Sequence, residues 1–139
     1  PTGPAGVAPM KNATFTHANA CTAANCVANI ASLTFTAPAA GYVFATAGGY
    51  CNIAATIRMN LCIETSGTVC SSPFDHWFVF QQNSGTVTQV GYSVQRLLSV
   101  SSGSNTVYLN FQNEAGTAIS GTPDCGGNMT VMFTPALLP

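Results

Sequence analysis

The chain has 139 residues and a net charge of −1, and only 5% of its residues are charged, against about a quarter in an average soluble domain. Lys11, Arg58, Arg96, Glu64, Asp75, Glu114 and Asp124 are the whole set. This scarcity excludes a basic patch for nucleic acid and a paired-acid hydrolase with ordinary support around it, and it argues against a carboxylate-rich calcium site while leaving a bound calcium ion open.

The length fits one domain, and no apolar run is long enough to insert in a membrane. Pro1-Thr2-Gly3-Pro4-Ala5-Gly6 has Gly at every third position. The tail of a Gly-X-Y triple helix would look like this, and so would a Pro/Gly linker. Residues 1–9 are therefore read as the end of a collagen-like stalk or linker, and residues 10–139 as a globular head. His17 has no metal-ligand partner at useful spacing and reads as a solvated loop residue. Residues 21–30 support no more than one loose turn.

The first strand expected is 30–36, rich in β-branched and aromatic residues. A second, 42–46, follows the breaker Pro38-Ala39-Ala40-Gly41. Residues 50–63 alternate most clearly and read as one strand. Ile53, Ala55, Ile57, Met59, Leu61 and Ile63 lie on one face; Asn52, Thr56, Arg58, Asn60 and Cys62 lie on the other. Runs at 77–81, 87–98, 106–112 and 129–134 complete the set. Gly with Ser, Asn, Asp or Pro separates them as turns. Short strands at this spacing predict an all-β sandwich or jelly roll.

Six cysteines in so uncharged a chain predict three disulfides and an oxidising, extracytoplasmic setting. Their spacing suits no zinc site. Residues 61–71 read as a hairpin whose short loop, Thr65-Ser66-Gly67, needs Gly67 in the left-handed region. Pairing then sets Cys62 opposite Cys70, within reach of a bridge. Cys21 and Cys26 can close a small loop, which leaves Cys51 and Cys125 for each other.

Three stretches carry a family resemblance. Phe35-Thr36-Ala37-Pro38-Ala39-Ala40-Gly41-Tyr42-Val43-Phe44 reads F-x-x-P-x-x-G-Y-x-F. Residues 97–109 show an apolar strand, the polar turn Gly103-Ser104-Asn105, then Val107-Tyr108-Leu109. The chain closes on Phe133-Thr134-Pro135-Ala136-Leu137-Leu138. In this order the three stretches resemble the complement globular-head family of the tumour-necrosis-factor-like superfamily. Six cysteines, so few charges and the missing Asp at the Gly103 turn depart from that family's usual pattern. The resemblance implies a jelly roll of about ten antiparallel strands, assembled as a homotrimer at the end of a collagen-like stalk. It also implies that Tyr42 and Phe44 enter the core. Apolar faces beyond what one sandwich covers would meet between protomers, with Tyr92, Tyr108, Phe111 and Phe133 as candidates.

Asp75-His76-Trp77 is the densest polar–aromatic cluster. It offers a sugar a flat apolar face and hydrogen-bonding groups; alternatively Trp77 starts a core strand and Asp75 caps the turn. No G-x-S-x-G elbow accompanies it, so no enzyme activity is expected, and neither is a cofactor. Arg58 and Arg96 have Glu64 and Glu114 as partners in prospect: buried, they would be satisfied ion pairs at a protomer interface; exposed, they could hold a carboxylate ligand. Asn12-Ala13-Thr14 and Asn128-Met129-Thr130 are N-glycosylation sequons, meaningful in a secreting eukaryotic host. Two functions fit: a trimeric head that recognises a surface glycan or protein, or a purely structural fibre subunit. Either belongs outside the cell or on a cell, spore or virion surface. A recognition head would gather Asp75, His76, Trp77 and residues 121–128 in one exposed patch.

Overall fold

A computed structural model describes residues 10–19, 21–53, 57–71, 77–82, 88–114, 118 and 123–135. They form eight strands: β1 (Met10–Asn19), β2 (Val27–Ala37), β3 (Gly41–Ile53), β4 (Ile57–Glu64), β5 (Trp77–Gln82), β6 (Thr88–Val100), β7 (Gly103–Asn113) and β8 (Asp124–Pro135). One sheet has the order β1-β8-β3-β6 and the other β2-β7-β4-β5. First pairs with last, second with seventh, third with sixth and fourth with fifth, all antiparallel. The chain is thus one long ribbon rolled over on itself, the strand order of a jelly-roll sandwich. The described residues hold eight strands, fewer than the ten or so that the family resemblance implies.

Alternation decides what is inside. Val43, Ala45, Ala47, Cys51 and Ile53 of β3 are buried, as are Met59, Leu61 and Ile63 of β4, Val107, Leu109 and Phe111 of β7, and Met129, Val131 and Phe133 of β8. The continuous alternation over 50–63 is therefore not one strand. It is the end of β3 in one sheet and the whole of β4 in the facing sheet. The period survives the crossing because both inner faces point into the same core. β1 was hidden from the pattern for another reason. It is an edge strand whose inner residues, Ala13 and Phe15, are only partly buried, so it needs little apolar material. His17 lies on this strand rather than in a loop.

Two further expectations need correcting. Tyr42 and Phe44 do not enter the core: they take the outward positions of β3, and Tyr42 is exposed. Tyr92, Phe111 and Phe133 are not interface aromatics: all three are buried within the single chain. The Gly103 turn does need its glycine, at φ 98°, where a Cβ is strained. Asn105 fixes that turn by donating to the carbonyls of Ser101 and Gly103 at 2.8 and 2.9 Å.

All six cysteines are bridged, as Cys21–Cys26, Cys51–Cys125 and Cys62–Cys70. Bridges of this number persist in oxidising compartments, and an extracellular setting follows. Among the described residues no helix is long and apolar enough to cross a membrane.

Candidate functional site

The two sheets present very different outer faces. On the β2-β7-β4-β5 sheet, residues 65–71 fold back over β4 and β7. Cys62 points outward and bridges Cys70 with Cα atoms 5.8 Å apart. The hairpin ladder predicted for 61–71 is absent, because β4 pairs with β5 instead and sets Cys62 opposite Trp77. Gly67 has no left-handed φ. It is needed for close approach: a Cβ there would stand 3.2 Å from the Tyr108 ring. Buried Asn110 donates to the carbonyls of Ser66 and Val69 at 2.8 and 2.7 Å. The end of this cover is held by Glu64, which accepts from the Ser71 amide at 2.9 Å and its hydroxyl at 2.6 Å and is ion-paired with Arg96. Burial alone would raise the Glu64 carboxyl. The Ser71 hydrogen bonds and Arg96 outweigh it and hold the group below its ordinary value.

The few charges act as stitches. Lys11 on β1 donates to the Thr34 carbonyl of the other sheet at 2.6 Å. Arg96 on β6 does the same to the Ile63 carbonyl at 2.8 Å. Arg58 pairs with Glu114 at 2.9 Å. The partnerships expected of the two arginines are present, and both lie within one chain. Among the described residues no three His, Cys, Asp or Glu side chains could hold a metal.

Among the described residues nothing folds over the outer face of the β1-β8-β3-β6 sheet, which is bare by comparison. Its register sets the outward residues in rows across the four strands. Met10, Met132, Phe44 and Leu97 form one row. The next is Asn12, Thr130, Thr46 and Gln95, then Thr14, Asn128, Gly48 and Ser93, then Gly126, Tyr50 and Gly91. Met10 is 68% exposed, Leu97 57% and Met132 45%. No charged residue stands in these rows.

The two sequons are brought together here. Asn12 lies opposite Thr130 and Thr14 opposite Asn128, so two amides and two hydroxyls make a square over an open groove of about 440 Å³. Below the Tyr50 row the packing is tight. A Cβ on Gly127 would fall 2.3 Å from the Gly48 carbonyl oxygen, and one on Gly49 2.0 Å from that of Gly126. Tyr92 fills the inner side, and its hydroxyl donates to the Gly126 carbonyl at 3.3 Å; burial pushes that hydroxyl's pKa up.

Of the predicted ligand cluster, Asp75 and His76 lie outside the described residues. Trp77 is the first residue of β5, and its side chain is outside them too. Most of the 121–128 segment expected beside them is the start of β8. The residues missed were Met10, Leu97, Met132 and Tyr50. Period two marks which of them share a face within a strand, but only the strand pairs align them in rows.

No family model matches the chain, and no curated protein matches its sequence. Solved structures do resemble it. The VP2 subviral particle of infectious bursal disease virus matches with a TM-score of 0.51 at 7% identity, over 91% of this chain and 33% of that one. The chain thus spans about a third of the length of the capsid protein it matches, and the likeness is one of fold. A CBM35 from Cellvibrio japonicus matches at a TM-score of 0.41 and 10% identity, over 93% of this chain and all of that one. Latent PorU from Porphyromonas gingivalis matches at 0.46 and 11%, over 99% of this chain and 14% of that one.

Proposed function

We propose that the chain is a non-enzymatic, extracellular head domain of a collagen-like or fibre surface protein, serving trimeric assembly and recognition of a surface glycan or protein. The observation that carries the assembly half is the exposed row Met10, Met132, Phe44 and Leu97. Apolar side chains aligned across four strands are costly in water. A second copy of the same chain suits them because the rows around them carry no charge: nothing in those rows repels its own image. The motifs that resemble the complement globular-head family support a homotrimer, and Pro1 to Gly6 fits a stalk that needs three chains. The non-enzymatic half is supported by the charges, since Arg58, Arg96, Glu64 and Glu114 are spent on each other.

Sedimentation of the intact chain tests this. The expected mass is three times 14.3 kDa, falling to one when Leu97→Ser and Met132→Ser are combined. A monomer at every concentration overturns the assembly reading. A purely structural fibre subunit is the second reading, favoured by the same apolar row, which needs only copies of itself.

A further inference from the structure

We infer that the Tyr50 end of the bare face is a binding subsite for a neutral sugar ring; this rests on the recognition half of the reading above and gives it a place and a ligand class. Tyr50 faces glycine on both neighbouring strands, Gly126 on β8 and Gly91 on β6. A Cβ on Gly126 would be 3.8 Å from the Tyr50 Cζ, so the ring lies against bare backbone on that side. The ring stays 42% exposed. An aromatic surface kept in water beside two glycines, in a protein that buries Tyr92 and Phe111, is a flat platform for the C–H face of a pyranose.

Polar groups stand at the correct side of that platform. Thr14 and Asn128 occupy the adjacent row, Asn12 and Thr130 the one beyond. Rows are about 7 Å apart and strands about 5 Å, and the groove they line, about 440 Å³, falls in the size range of small-ligand sites. Amides and hydroxyls both donate and accept, as sugar hydroxyls do. The floor is rigid: Cys51–Cys125 joins β3 to β8 directly behind Tyr50 and Gly126, with Cα atoms 4.1 Å apart, and Tyr92 holds the Gly126 carbonyl from within. A preformed site loses little entropy on binding.

Charge defines the ligand class. Lys11 is turned to Thr34, Arg96 to Glu64 and Arg58 to Glu114. No cation is left on this face for a carboxylate or sulfate, so sialylated and sulfated sugars gain no ion pair here. Assembly through the Met10–Leu97 row leaves the Tyr50 platform itself clear, because Phe44 and Tyr50 are six residues apart on β3, about 20 Å along the strand; the Asn12–Thr130 row is the part of the groove that stands next to the assembly row.

The test uses the whole chain made in a host without N-glycosylation, on an array of neutral, sialylated and sulfated oligosaccharides. Binding is expected to neutral structures and to be insensitive to salt. Tyr50→Ala should weaken it at least tenfold, Asn128→Ala severalfold, and Tyr50→Phe little, each with an unchanged melting temperature and sedimenting mass. Binding restricted to acidic glycans, no binding to any, or wild-type binding by Tyr50→Ala would overturn the subsite. None of these outcomes alters the sedimentation result, so the assembly reading stands or falls separately.

Discussion

One face of the sandwich is roofed and the other bare, and the two solve opposite problems. Under the roof, polar groups lie out of water. Asn110 is fully buried, and Asn29, Ser66 and Val69 supply its partners. On the bare face, apolar groups lie in water: among the described residues Met10, Leu97 and Met132 stay exposed. A buried polar group must be satisfied by its own chain. An exposed apolar row is satisfied only by something outside it. The roofed face therefore serves stability, and the bare face is where the proposed assembly and recognition would act.

Removing a roof contact should cost most. Asn110→Ala leaves two loop carbonyls without their donor and is expected to lower stability by about 3 kcal/mol, read by thermal or urea denaturation. A loss under about 0.5 kcal/mol would mean that residues 65–71 are not fixed as described.

Acid should loosen the same cover by a smaller amount. The folded Glu64 carboxyl sits below its unfolded value, so its contribution is present above the unfolded pKa of about 4.3 and is lost as pH falls through the lower folded one. Glu64→Gln is expected to flatten that part of the stability–pH curve. Arg96→Ala should cost about 2 kcal/mol near neutrality, short of a fully buried pair because the Arg96 side chain keeps 24% of its exposure. An unchanged acid limb in Glu64→Gln would detach Glu64 from the roof.

Changes on the bare face should be nearly silent in the isolated fold. Thr46→Ala and Gln95→Ala are expected within about 0.5 kcal/mol of the parent. A large loss at either would show that the face is structural after all.

The sequence made the fold class legible, because alternation at 106–112 and 129–134 needs no partner to be seen. It made the presence of bridges and the Cys62–Cys70 pair legible as well, while Cys21–Cys26 and Cys51–Cys125 were reached only by proximity and by what remained. The jelly-roll order was not legible, since alternation runs unbroken from Tyr50 through Ile63 although the chain changes sheets between them. The hairpin argument for Cys62–Cys70 reached the right pair through a ladder that does not exist: the bridge joins a strand to the loop above it. The bare face escaped notice because its residues come from four strands. Met10 and Leu97 are far apart in the chain, and neither is unusual alone. Only register puts them in one row with Met132 and Phe44.

The four methionines give the most direct test of what covers that row. Met59 and Met129 are buried in the core; Met10 and Met132 are exposed on the bare face. Peroxide oxidation followed residue by residue in the intact protein compares them in one sample. If the face is covered by copies of the chain, Met10 and Met132 will oxidise slowly, and Leu97→Ser with Met132→Ser will release Met10 to the rate of a free methionine. Oxidation of Met10 and Met132 at that free rate in the parent protein, with Met59 and Met129 protected, would contradict the account.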